Sequence, residues 1–180
     1  MRAVCTGYQR NGRRYDLKRD YSLFIGLALL VLFLDQLSKW LISSHLSLHQ
    51  ARPIIPGVFS LVLVQNRGMA FGIFSQSKSG FPYYFLLATT IVAIVVILCF
   101  FCWTKGNRPW LTVGLSIILG GATGNLIDRL RFGYVIDFFD FFLKDYHWPA
   151  FNLADSAVTA GTCWLFINIM RGRGLREDKP

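Results

Sequence analysis

The chain has 180 residues, a formal net charge of +9 and 53% hydrophobic residues, sixteen phenylalanines among them. That is too apolar for an ordinary soluble domain of this charge, and the length fits a single compact unit. No basic and aromatic patch stands outside the apolar runs, so the positive surplus gives no support to a nucleic-acid partner.

Six basic residues, Arg2, Arg10, Arg13, Arg14, Lys18 and Arg19, precede the first apolar run, Tyr21–Ile42. A cleavable signal peptide is the rival reading of this start. The run continues past Asp35 to Trp40, however, and no small-residue cleavage site follows, so a retained helix is expected. A long connection from Ser43 to Pro82 comes next. Its piece 56-PGVFSLVLVQNRGMAFGIF-74 carries β-branched and aromatic residues followed by Gly68 and Gly72. It reads as a short strand or hairpin at the membrane surface, with Asn66 and Arg67 at its turn. The second run is Tyr83–Trp103, the third Trp110–Ile127 and the fourth Asn152–Met170, and residues 130–150 read as a loop between the last two. Each run approaches the ~20 residues a helix needs to cross a bilayer. Helices are expected because lipid cannot satisfy a free backbone N–H or C=O.

The expected fold is therefore an all-α membrane protein with four transmembrane helices and a small β-containing extracytoplasmic element between helices 1 and 2. The basic residues orient it. The N-terminal segment, the turn with Lys105 and Arg108, and the tail with Arg171, Arg173, Arg176 and Lys179 all fall on one side. By the positive-inside rule that side is the cytoplasm. Residues 1–20 are then a cytoplasmic basic extension, 21–170 the four-helix domain and 171–180 a cytoplasmic basic tail. The first ~15 and last ~8 residues, polar and terminal, read as unstructured. Cys99 and Cys102 form a C-x-x-C without a neighbouring His or acid, and with Cys163 they read as small apolar residues.

Polar residues converge where the third helix ends and the fourth begins, at the outer face. Asn125, Asp128 and Arg129 share one helix face, and Asn152 and Asp155 repeat the i, i+3 spacing. Gly120 and Gly124 have the small-xxx-small spacing that lets another helix approach closely. A solvated helix end accounts for Arg131, Asp140, Lys144 and Asp145, but not for this set. Asp35 and Lys39 stand i, i+4 inside the first helix. A charge there costs roughly 2.5–3.5 kcal/mol on insertion scales, so two readings stand: a mutual ion pair, or a part in orienting the site.

The chemistry follows by residue type. His45, His49 and His147 lie in loops without a nucleophile elbow, and no zinc-ligand spacing exists. Carboxylates remain. Two aspartates held close share a proton, so one serves as base toward water while the other polarises a carbonyl. Such a pair hydrolyses a peptide with no metal and no cofactor. Asp128, Asp137 and Asp155 are all candidates, and spacing does not choose among them. A small transporter would spread its charges through the membrane, whereas these gather at one face. A head-group transferase would carry its acids on the cytoplasmic side. A purely structural protein would not need Asn125, Asp137 and Asn152 together.

The pieces 35-DQLSK-39, 66-NRGMAFG-72, 120-GGATGNLIDR-129, 135-VIDF-138 and 149-PAFNLADSAV-158 resemble the signal peptidase II family, bacterial membrane aspartyl proteases. The resemblance covers about residues 20–170. It implies Asp137 and Asp155 as the catalytic pair. It implies Asp35, Lys39, Asn66, Gly121, Asn125, Asp128, Arg129, Asn152 and Ala154 as supporting residues, with Asp128 fixing Arg129. The implied substrate is a prolipoprotein whose cysteine bears diacylglycerol, cut just before that cysteine. The implied setting is the bacterial inner membrane, with a monomer among lipids, both termini in the cytoplasm and the site at the outer face. One departure stands out: where the family has N-T-G-A-A-F, this chain places the larger Arg67 and Met69, which bear on the shape of a substrate-covering loop.

Overall fold

The computed structural model describes residues 9–10, 13–14, 17–68, 81–104 and 108–173. Gln9–Arg10 (β1) pairs with Arg13–Arg14 (β2), a small departure from the unstructured start expected there. Cys5, Met69 and the last seven residues lie outside the described residues.

Four helices carry the fold: α1 (Leu17–His45), α2 (Phe81–Thr104), α3 (Pro109–Phe132) and α4 (Leu153–Asn168). Each, with the helical turn Ile169–Arg173 that continues α4, contains a stretch long and apolar enough to cross a membrane. Their outward faces display Phe33, Trp40, Val92, Val96, Phe166 and Met170, large apolar side chains that lipid would cover. This is a multi-pass membrane protein.

Local chemistry sets the helix ends. Pro109 begins α3 at a position where its missing N–H costs nothing. Gly133 ends α3 in the left-handed region (φ 76°), and its N–H bonds the Arg129 carbonyl at 2.9 Å. The third helix thus runs about a turn beyond the expected end near Asp128. At the start of α4, Asn152 Oδ1 accepts the Asp155 N–H at 2.9 Å and Asp155 Oδ2 accepts the Asn152 N–H at 3.2 Å. This reciprocal cap satisfies two orphan donors.

α3 packs against both α1 and α4, and its glycines make room for them. A Cβ on Gly120 would meet the Ala28 carbonyl and Val31, and one on Gly121 would meet the Ala154 carbonyl. The small-residue spacing therefore serves α1, as its pattern implies. At the end where α1 begins and α2 finishes, Phe24, Ile97, Phe101, Leu111 and Leu115 form the apolar core, with Phe24 and Phe101 stacked at 3.7 Å.

The β element is larger than the sequence indicates. Ala51–Ile55 (β3) and Phe59–Asn66 (β4) form a hairpin whose turn is Pro56–Gly57, not Asn66–Arg67. Gly57 supplies φ 80°, and Val58 N–H closes the turn on the Ile55 carbonyl at 3.1 Å. That is the geometry Pro-Gly favours. Residues 130–150 are not a loop. Val135–Leu143 (β5) pairs antiparallel with β4, and Tyr146–His147 (β6) pairs with β5, giving the order β3-β4-β5-β6. Consecutive side chains from Val135 to Phe138 are all buried, so the strand lacks the polar–apolar alternation that marks one from sequence. Both long connections thus contribute to one sheet, which lies against the ends of α1 and α3.

Candidate active site

The site forms where the far half of α1, the end of α3 and the start of α4 meet β4 and β5. Lys39 is its pivot. An ammonium has three N–H donors, and this one has three acceptors: Asp35 Oδ2 at 2.8 Å, Asp128 Oδ2 at 2.8 Å and Asn125 Oδ1 at 2.9 Å. All four side chains are buried. Buried charges are tolerated only when paired and fully hydrogen-bonded, and among the described residues no buried side-chain polar atom lacks a partner.

Each acceptor passes the constraint onward. Asp35 Oδ1 accepts the Ala154 N–H at 2.9 Å, beside Asp155. Asp128 Oδ2 accepts the Ile136 N–H at 3.2 Å, beside Asp137. Asn125 Nδ2 donates to Asp155 Oδ1 at 2.8 Å. One ammonium buried in the bundle therefore holds both Asp137 and Asp155 through short hydrogen-bonded chains. Asn152 joins the two directly. Its Nδ2 donates to Asp137 Oδ1 at 2.7 Å, while its Oδ1 takes the Asp155 N–H. Asn66, the last residue of β4, donates from Nδ2 to Asp137 Oδ2 at 2.8 Å. The Gly68 N–H on Asn66 Oδ1 at 3.0 Å orients that amide.

Burial is the main reason that the Asp137 carboxyl is pushed up to about 7; the charge of Asp155 adds to it, and the bonds from Asn66 and Asn152 oppose it. Asp137 is therefore the member of the pair that keeps its proton well above the ordinary carboxylate range. Asp155 instead accepts N–H donors on both oxygens, from Asn125 and from the Asn152 backbone. A proton-holding acid bonded to the Asn152 side chain and a carboxylate bonded to the Asn152 backbone N–H make an acid–base pair.

The residues singled out from sequence converge here, with corrections to their roles. Asp35 and Lys39 are more than a mutual pair, since both reach into the site. Asp128 is hydrogen-bonded to Lys39, Gln36 and the Ile136 backbone, and bears on Arg129 through its charge. The Arg129 guanidinium lies in the field of Asp155, Asp137 and Asp128. Its described hydrogen bond runs from Nη1 to the Asn125 carbonyl, at 3.5 Å. Gly121 and Ala154 meet at the α3–α4 contact. Asp140 is not a solvated charge: it is buried and bonded to His147 Nδ1 at 2.9 Å.

One residue escaped the sequence reading, and another entered it only as a packing glycine. Gln36 Nε2 donates to Asp128 Oδ1 at 3.0 Å, with longer contacts to the Gly124 carbonyl and Asp35 Oδ2 at 3.3 Å. Its signal was an amide beside an intramembrane acid. Gly124 is the seat of Asp35, whose Oδ2 a Cβ there would strike. Its signal was its place in the glycine pattern. Among the described residues, no three His, Cys, Asp or Glu side chains form a metal-holding group.

The family model for Signal peptidase (SPase) II matches residues 27–171, which includes every residue of this network. The chain belongs to the signal peptidase II family. It is a signal peptidase of the aspartic class. Similar proteins include the lipoprotein signal peptidase of Syntrophotalea carbinolica, 43% identical over 159 residues, covering 88% of this chain and 97% of that one. That of Nitratidesulfovibrio vulgaris is 40% identical over 155 residues, covering 86% and 93%. A solved structure titled as a bacterial membrane enzyme superimposes with a TM-score of 0.73 at 28% identity, covering 92% of this chain and 96% of its own.

Proposed function

We propose that this signal peptidase II acts on diacylglyceryl-modified prolipoproteins through Asp137 and Asp155, cutting just before the lipidated cysteine. As a member of the family it removes signal peptides from prolipoproteins. The observation that carries the assignment is Asn152, whose Nδ2 donates to the Asp137 carboxyl while its backbone N–H donates to the Asp155 carboxylate and its Oδ1 accepts the Asp155 N–H. Asp155 takes a proton from water as the water oxygen attacks the scissile carbonyl carbon. Asp137 gives its proton to the carbonyl oxygen. The tetrahedral intermediate collapses as the proton held by Asp155 passes to the leaving amine and a hydroxyl proton of the intermediate returns to Asp137. Asp35, Lys39, Asn66, Gly121, Asn125, Asp128, Arg129, Asn152 and Ala154 support the pair.

The chain works in the bacterial inner membrane, with residues 21–170 as the peptidase and the basic flanks 1–20 and 171–180 in the cytoplasm. The support is the placement of Lys and Arg and the four long apolar helices among the described residues. This puts the site at the outer face, where a lipid-anchored cysteine would hold the scissile bond.

Purified protein incubated with a diacylglyceryl-modified prolipoprotein should release a product beginning at the lipidated cysteine, as read by mass. Cleavage elsewhere, or equal cleavage of the unmodified precursor, would overturn the substrate assignment. A reporter active only outside the cytoplasm should work when fused at Gln50 or Lys144 and be silent at Asn107. Activity at Asn107 would reverse the orientation.

A further inference from the structure

A cleft of about 560 Å³ crosses the sheet from Val62 and Val64 of β4, over Asp140 of β5, to segment 146–150. Asp137 and Asp155 are not among its walls, but two of its sides lead to Asp137. Val64 stands opposite Asp137 in the β4–β5 register, and segment 146–150 leads to Asn152, which bonds Asp137.

We infer that this cleft seats the substrate segment that follows the scissile bond, an extended polypeptide with a basic side chain directed at Asp140. This rests on the proposed assignment of Asp137 and Asp155. The apolar signal segment of the substrate belongs among lipid and helices. The chain beyond the cut must leave through the part of the enzyme that is not helical, and the sheet is that part.

The walls suit such an occupant. The charged groups in them are Asp140 and His147, and the carboxylate is the buried member: the Asp140 side chain is 11% exposed, whereas the His147 side chain is 56% exposed. His147 Nδ1 lies 2.9 and 3.0 Å from the two Asp140 oxygens. One donor shared by two oxygens leaves lone pairs for another donor. A positive side chain fits that position and a negative one is repelled. Tyr146 and Trp148 are both more than half exposed and offer apolar area to a neighbouring side chain. The platform is pinned in advance. The His147 ring stacks on Phe142 at 4.9 Å, and the Trp148 N–H bonds the Phe141 carbonyl at 2.7 Å. A pre-ordered surface loses little entropy on binding.

Three synthetic substrates test this, sharing one signal segment and one lipidated cysteine. The first ends just after the cysteine. The other two continue for about six residues, roughly 20 Å when extended, and differ only in carrying lysine or glutamate in that extension. The reading is the ratio of kcat/KM values within each enzyme, so a poorly folded variant lowers both rates and leaves the ratio meaningful. The wild type should prefer the lysine substrate over the glutamate one by about tenfold, the factor that 1.4 kcal/mol carries. In Asp140→Asn that ratio should fall toward one. Tyr146→Ser, at an exposed side chain, should reduce the advantage of the lysine substrate over the short one while keeping the lysine preference. A wild-type ratio near one with all three substrates cleaved overturns the cleft and leaves the peptidase reading standing. A lysine preference that survives Asp140→Asn also overturns it. Failure to cleave any of the three overturns the peptidase reading, and this inference with it.

Discussion

Lys39 of α1 donates a hydrogen bond to Asn125 of α3 at 2.9 Å, and this contact decides which way the Asn125 amide faces. An ammonium can only donate, so Oδ1 must turn to Lys39. Nδ2 is then left to face Asp155 Oδ1 at 2.8 Å. A charge buried in the bundle thereby fixes the hydrogen bonding of an aspartate at the site.

Lys39→Met should cost both stability and activity. It leaves Asp35 and Asp128 buried together without their shared cation, and breaking a buried pair typically costs about 3–5 kcal/mol. Thermal unfolding in detergent should shift well downward, and cleavage should fall to background. A variant with wild-type Tm and rate would show that the buried ammonium does not organise the site.

Asp137→Asn and Asp155→Asn should each abolish cleavage in a protein that still folds, since a carboxamide cannot exchange the proton the reaction needs. Asp128→Asn should act differently. It removes a carboxylate paired with Lys39 and a partner of the Ile136 N–H, so its Tm should drop and some cleavage should remain. Cleavage by Asp137→Asn near the wild-type rate, with Asp128→Asn folded and dead, would move the acid role to Asp128.

The proton on Asp137 sets a pH limit. Its folded value near 7 stands above the ordinary 3.8. The native state therefore binds the proton more tightly than the unfolded chain, and this group's share of stability falls as pH rises from about 4 to 7, then levels off. Activity should decline on the alkaline side of about 7 as Asp137 ionises. The Tm of the wild type relative to Asp137→Asn should likewise fall between about pH 4 and 7. A Tm difference that stays constant across that window would show that Asp137 is not raised.

Two glycines separate close contact from backbone conformation. Gly124→Ala should abolish activity and depress expression, because the new methyl group meets the Asp35 carboxylate. Gly133→Ala meets nothing within 4 Å and is strained only by its φ of 76°, so about 1 kcal/mol and nearly normal cleavage are expected. Equal effects of the two would contradict this division.

Four helices, their order and the crowd of polar residues at one end were legible in the sequence. Lipid imposes a simple code of apolar runs about 20 residues long, broken where charge and turn residues gather. The i, i+3 spacing of Asn152 and Asp155 was also legible, and the structure shows it to be a reciprocal cap. Choosing Asp137 over Asp128 was not possible from spacing. Asp128 shares a helix face with Asn125, whereas Asp137 lies in a strand whose partner, β4, is about seventy residues earlier in the chain. Pairing across that distance is decided by how the sheet closes over the bundle and leaves no periodic trace in Val135–Phe138, buried on consecutive residues. The same holds for Lys39. Its i, i+4 partner Asp35 is written in the helix, but Asp128 and Asn125 reach it only because Gly120 and Gly124 let α3 come against α1. The sequence by itself determined which residues were available and which end of the helices would hold them. Only the tertiary structure decided which acceptor each donor took, because a buried ammonium or amide must spend its few N–H groups on whatever packing brings within 3 Å.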